Sequence, residues 1–184
     1  MGSEMCIRDR SNSVAIGVNA GSAGQNILAV AIGTNAGQTT QANNSVAVGA
    51  YAGEVTQGNN SVAIGYGAAS NNQQANSVAI GAQAALIGQK VNSVAVGNLA
   101  GQSNQNQNSV AFGAFAGQDS QAIGSVALGY SAGQSLQSTN SVAIGNFAGL
   151  LSQRNSAVAI GAVAGRSSQG VGGVAVGFGA GNAS

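Results

Sequence analysis

The chain has no proline, no tryptophan and no histidine, and its one cysteine is Cys6. Each absence removes an option. Without proline, no backbone N–H is withheld from a hydrogen-bonded ladder. A single cysteine allows neither an internal disulfide nor a cysteine metal site. With no histidine, and with no cysteine in the repeats described below, nucleophilic and metal chemistry lack their usual groups. Charge is scarce too. Charged residues make up 5% of the chain, against roughly 25% in an ordinary globular domain. The formal net charge of +1 gives no electrostatic grip on nucleic acid or on an acidic membrane surface. No apolar run approaches the ~20 residues of a membrane-spanning helix, so no direct membrane insertion is expected of this segment, and no signal-peptide pattern is evident.

What the chain has is small residues and amides. Glycine accounts for 30 of 184 residues, roughly twice the usual ~7%, and Ala, Ser, Asn and Gln fill most of the rest. These are arranged as one repeat. A glycine closes an S-V-A-I-G-like segment at Gly17, Gly33, Gly49, Gly65, Gly81, Gly97, Gly113, Gly129, Gly145, Gly161 and Gly177, eleven copies at an unbroken interval of 16. Two residues before each glycine stands alanine (Ala15 to Ala175), and three residues after it stands alanine again (Ala20 to Ala180). Eight residues after it stands glutamine in all ten complete copies: Gln25, Gln41, Gln57, Gln73, Gln89, Gln105, Gln121, Gln137, Gln153 and Gln169. Met1 to Arg10 lies outside the pattern and holds Glu4, Arg8, Asp9 and Arg10 of the nine charged residues. It reads as a foreign leading segment, a tag or artefact without order, with the repeat domain covering 11–184. No capping segment, which solenoids normally need, is evident at either end, so a block cut from a longer fibre is expected.

A 16-residue unit is too short for two helices and their turns, and helix-favouring residues are few. Two short strands and two turns do fit. The expected fold is all-β: a parallel β-solenoid or β-roll of about eleven stacked 16-residue coils. At the strand spacing of about 4.8 Å it spans roughly 50 Å. The S-V-A-I-G segment alternates with period two. Its small side accepts only alanine at the centre, which indicates a space where a methyl fits and nothing larger does. Its large side varies in size, which indicates a looser contact. The small residues are therefore placed inside a narrow roll. The outer stripe is then Val14 and Ile16, Val30 and Ile32, Val46 and Val48, Val62 and Ile64, Val78 and Ile80, Val94 and Val96, Val110 and Phe112, Val126 and Leu128, Val142 and Ile144, Val158 and Ile160, and Val174 and Val176. Such a band, on the order of 500 Å², sits at the upper end of what monomers expose. Each of these side chains gains about 1.5–3 kcal/mol on full burial. The expected partner is the chain itself, in a parallel homotrimer with the stripes about its axis. The competing arrangement is a wider solitary solenoid with Val and Ile inside.

N-S-V-A-I-G stands literally at Asn12–Gly17, Asn60–Gly65, Asn76–Gly81 and Asn140–Gly145, and N-S-V-A-V-G at Asn44–Gly49 and Asn92–Gly97. In tandem this resembles the head repeat of trimeric autotransporter adhesins of the YadA-like type, over residues 11–184. The resemblance implies a left-handed parallel β-roll, three chains to a head, display on a bacterial surface, and attachment to a host matrix protein such as collagen or to a surface glycan. Two features depart from it. The family's coils are often nearer 14 residues, and its serine three residues after the glycine is alanine here (Ala20 and its equivalents). Similar repeats occur in phage and viral fibres, which leaves a tail-fibre shaft as the alternative. An ice-binding solenoid needs regular hydroxyls on a flat face, whereas Thr39, Thr40, Thr56, Ser103 and Ser120 are irregular. A functional amyloid subunit fits the amide columns, but a closed roll fits them as well.

No enzyme is expected, and no cofactor or metal. Neither a G-x-x-x-x-G-K-[ST] phosphate loop nor a G-G-x-G-x-D calcium roll occurs. Glu54 and Asp119 are the only acids within the repeats; about four coils apart, they stand roughly 19 Å from one another, too far to act as a pair. The glutamine column reads as an amide ladder along the axis, or else as a row of glycan-binding amides. The asparagine column (Asn12, Asn44, Asn60, Asn76, Asn92, Asn108, Asn140) reads as a turn residue that also stacks. It is interrupted at Leu28, Gly124, Ser156 and Gly172. Tyr51, Tyr66, Phe115, Tyr130, Phe147 and Phe178 follow the closing glycines, either as exposed adhesive rings or as cover for a corner. Lys90, Arg154 and Arg166 are scattered, and read as solubilising charges that also block lateral sheet pairing.

Overall fold

A computed structural model describes residues 12–182. The reading of Met1 to Arg10 as a foreign segment lies outside the described residues. Within them the secondary structure is strand and turn, with no helix. One eleven-stranded sheet runs the length of the molecule. Its strands are Val14–Ile16, Val30–Ile32, Val46–Val48, Val62–Ile64, Val78–Ile80, Val94–Val96, Val110–Phe112, Val126–Leu128, Val142–Ile144, Val158–Ile160 and Val174–Val176. Neighbours pair parallel and without slip: Val14 meets Val30, Ala15 meets Ala31 and Ile16 meets Ile32, and this register repeats to the last pair. The fold is a parallel β-solenoid of about ten turns.

A 16-residue step brings each backbone group to a like group one coil away. The Val14 amide donates to the Ala29 carbonyl at 2.9 Å, and the Gly33 amide to the Ile16 carbonyl at 2.7 Å. The same two bonds recur along the sheet, so strands of three residues hold because each, apart from the two end strands, has a neighbour on both sides. The opposite wall is less regular. Short parallel pairs form at Thr40–Gln41 with Thr56–Gln57 and at Asp119–Gln121 with Ser135–Gln137, and isolated bridges continue the line elsewhere.

Two tight turns close each coil. In the first, the Ala36 amide donates back to Gly33 (3.2 Å) with Asn35 at φ +56°. In the second, the Ser125 amide donates back to Ala122 (3.3 Å), and its third position, Gly124, has φ +66°. That third position is the asparagine column, and Asn44, Asn60, Asn76, Asn92, Asn108 and Asn140 all have φ between +54° and +58°. Asparagine tolerates the left-handed conformation better than other L residues with a Cβ.

The core is alanine. Ala15, Ala31, Ala47 and their successors face Ala20, Ala36, Ala52 and theirs across the roll, and every buried member of this cluster is an alanine. Each strand of the sheet has its central alanine buried and its flanking aliphatics at least partly exposed. The small side of the S-V-A-I-G segment therefore lies inside, and the wider solenoid with Val and Ile inside is not the one formed. The serine column is inside as well. Ser45, Ser61, Ser93 and Ser141 are fully buried, and each hydroxyl donates to the carbonyl three residues earlier at 2.6 Å, which satisfies it and ties the turn to the strand.

The closing glycine is imposed by the stacking. Gly113 has φ +126°, and a Cβ there would stand 2.6 Å from the Gly129 carbonyl oxygen of the next coil. At Gly177, with φ +119°, a Cβ meets nothing within 4 Å. Both positions strain an L residue by about 1–3 kcal/mol, but only Gly113 adds a collision with backbone. Gly113→Ala is therefore expected to lower stability clearly more than Gly177→Ala in thermal denaturation. Equal losses would show that the close approach of coils does not constrain this column.

Candidate interaction surface

The glutamines point into the roll. Gln41, Gln57, Gln89, Gln105, Gln121 and Gln153 have no exposed surface, and the other members of the column are nearly as buried. Each side-chain amide nitrogen donates to the carbonyl of the valine eleven residues earlier, at 2.7–2.9 Å, as Gln25 does to Val14 and Gln153 to Val142. Most also reach the carbonyl four residues later. The amide thus bridges the two walls of its own coil. A polar group this deep is costly unless it is bonded, and these bonds offset the burial of the amide N–H groups.

From Gln73 onward the amides also bond to one another along the axis. Gln73 donates to Gln89, Gln89 to Gln105, Gln105 to Gln121, Gln121 to Gln137, Gln137 to Gln153 and Gln153 to Gln169, at 3.0–3.2 Å. The chain of bonds does not extend to the first coils. The Oε1 atoms of Gln25, Gln41, Gln57 and Gln73 are buried and have no partner. Gln41 and Gln121 make matched backbone bonds, at 2.7 Å and 3.4 Å. They differ in the ladder alone. Gln121 both accepts from Gln105 and donates to Gln137, so its truncation to alanine is expected to cost more than truncation of Gln41, by about 1–3 kcal/mol, the net worth of two hydrogen bonds. Urea unfolding of the two variants measures the difference, and equality would mean the ladder adds nothing.

A second amide ladder lies on the outside. Gln134 donates to Gln118 at 2.8 Å, and Gln118 to Gln102 at 2.9 Å. The asparagine column adds short ladders, Asn44 to Asn60 to Asn76 and Asn92 to Asn108. Leu28 interrupts this column with φ +58° and half its surface exposed. Leu28→Asn removes a left-handed leucine, a strain of about 1 kcal/mol, and places an amide between Asn12 and Asn44. A rise in melting temperature is expected; a fall would show that the column is indifferent to residue type.

The aliphatic stripe lies on the outer face of the sheet. Val14, Ile16, Phe112, Leu128, Val174 and Val176 are exposed at 40% or more, and most others are close to that or half-buried. Every coil contributes two members, so the band is unbroken from Val14 to Val176. No charged residue falls within it. The aromatic residues cluster beside it. Tyr51 meets Tyr66 edge-on at 5.9 Å, and Phe115, Tyr130 and Phe147 form a run of edge-on contacts at 5.6 Å and 5.3 Å. The Arg166 guanidinium lies 6.0 Å from the Phe147 centroid, so this arginine engages a ring as well as solvent. Phe115 and Phe147 are half-buried corner residues, whereas Tyr66, Tyr130 and Phe178 stand out into solvent. Glu54 and Asp119 stay in separate coils, and among the described residues no three metal-capable side chains come together. Sequence reasoning missed a notch beside Tyr51 and Tyr66. The one available signal was Gly67, which stands where neighbouring coils carry a side chain.

Fold and surface together define a parallel β-solenoid repeat protein with an amide spine and one apolar face. Residues 57–84 match the family model of the YadA head domain repeat, in two copies. The chain thus carries YadA-like head repeats, in the coils that hold Gln57 to Ala84. Comparison with curated proteins and with solved structures gives no match.

Proposed function

We propose that this chain is a stiff segment of an extracellular fibre, an adhesin head built from three parallel copies. The reading is structural and not enzymatic. One observation carries it: the Val/Ile band is continuous, faces outward on every coil, and is covered by nothing among the described residues. Exposed bands of this extent belong to interaction surfaces. The same residues from identical chains, set about a three-fold axis, bury it and leave the polar walls in water. The match of two coils to the YadA head repeat supports the same arrangement, along with display on a bacterial surface and attachment to a host matrix protein or surface glycan.

Sedimentation equilibrium at micromolar concentration is expected to give a mass near three times 17.6 kDa. A stable monomer would overturn the assembly. Ile80→Lys combined with Phe112→Lys places charge on the outer face without touching the alanine core. It is expected to yield monomers whose far-ultraviolet circular dichroism is that of the parent. Binding of the trimer to immobilised collagen or to a glycan array tests adhesion separately, and a trimer that binds neither would leave a fibre segment without an adhesive role.

A further inference from the structure

One coil interrupts the polar wall beside the stripe. In the column two residues after the closing glycine, Tyr51 and Gln83 flank Gly67. In the column five residues after it, Glu54 and Leu86 flank Ser70. The fourth coil therefore has no side chain, or only a hydroxymethyl, where its neighbours have long ones. The result is a notch one coil tall, about 200 Å³, lined by Tyr51, Glu54, Tyr66, Gly67, Ser70, Gln83 and Leu86. None of the stripe side chains lines it.

We propose that this notch binds a single guanidinium group, the side chain of an arginine presented by another protein. Three features point to that chemistry. Both tyrosine rings line the notch and meet edge-on, with an interplanar angle of 80°. A ring face attracts a planar cation laid on it. Glu54 adds a carboxylate that can accept two parallel N–H bonds from a guanidinium, the geometry that favours arginine over lysine. Among the described residues Glu54 has no ion-pair partner, and the side chains of Tyr51, Tyr66, Ser70 and Gln83 hold no hydrogen bond to other protein groups. Their oxygen atoms are free to accept from the remaining guanidinium N–H groups. Leu86 supplies an apolar wall for the methylene stem. The other acid of the repeats, Asp119, has no such surroundings: it is exposed and lies outside the ring contacts.

The absence of tryptophan makes the test direct. The chain has three tyrosines, and in a Tyr130→Phe background the two notch tyrosines are its sole strong fluorophores. N-acetyl-arginine amide, titrated into the folded protein, is expected to change that fluorescence saturably. N-acetyl-citrulline amide, its neutral isostere, and the Glu54→Gln variant are each expected to bind at least about ten-fold more weakly, the loss of a charged hydrogen-bonded contact. Gly67→Asn fills the notch with the residue that Asn19 and Asn35 already supply to this column at positive φ. Ser70→Gln fills it from the other side, as Gln38 and Gln102 fill their own coils. Both are expected to abolish the signal with circular dichroism unchanged. Equal binding of citrulline, no saturation by the arginine probe, or a preference for a neutral monosaccharide over it would each overturn the proposal. The outcome is independent of the trimer, whose failure would show in the sedimentation mass alone.

Discussion

The close parallel stacking of one coil on the next governs the rest of the molecule. Adjacent strands in a sheet lie about 4.8 Å apart, and here every coil must meet that spacing along its whole circuit. Where the chain leaves the strand, backbone approaches backbone so closely that a Cβ at Gly17, Gly65 or Gly113 would fall within 3 Å of the next glycine. Inside, the roll is narrow enough that alanine faces alanine. A cross-section this thin cannot hold a core of leucine and phenylalanine. The large aliphatics are displaced to the outer face, where they are available to other chains.

An alanine core buries little apolar area per residue, and the buried glutamines respond to that shortage. Each amide spans the roll and hydrogen-bonds to the opposite wall, which fixes the distance between the walls as a larger hydrophobic side chain would by packing. Because the bonds go to main-chain carbonyls, they depend on the coil shape and not on neighbouring side chains. That explains why they persist in the first coils, where the ladder between amides is missing. The ladder is the more demanding of the two, since it needs successive amides in one orientation at hydrogen-bond distance. The buried Oε1 atoms of Gln25 to Gln73 make the first four coils the less completely satisfied part of the spine.

The stiffness of this design suits a fibre. Each coil touches only its neighbours, so the stability of the stack is a sum of coil and interface contributions, and local variation is tolerated wherever a side chain points outward. The outer columns show it. One position holds Asn35, Tyr51, Gly67, Gln83, Leu99, Phe115 and Val163 in successive or nearby coils, all at positive φ. The scaffold therefore presents different surface chemistry at a fixed pitch without altering its core, and the notch at Gly67 and the aromatic run from Phe115 to Phe147 are two results.

The sequence alone determined the period, the parallel register and the sorting of small residues inward from large ones outward. The reason is that a strict interval of 16 admits no slip. A column that accepts only Ala15 and its equivalents reports a confined space, whereas a column that accepts Ile16, Val48, Phe112 and Leu128 reports an open one. The direction of the glutamines was not legible, because Gln25 and its equivalents lie beyond the strand, where two turns at positive φ decide which way a side chain points. Where the amide ladder begins was not legible either, since it depends on small differences in spacing between coils. Nor was the notch, which exists through what three adjacent coils have or lack at the same level. Only the stacked structure brings Tyr51, Tyr66 and Gln83, residues up to 32 positions apart, around a single gap.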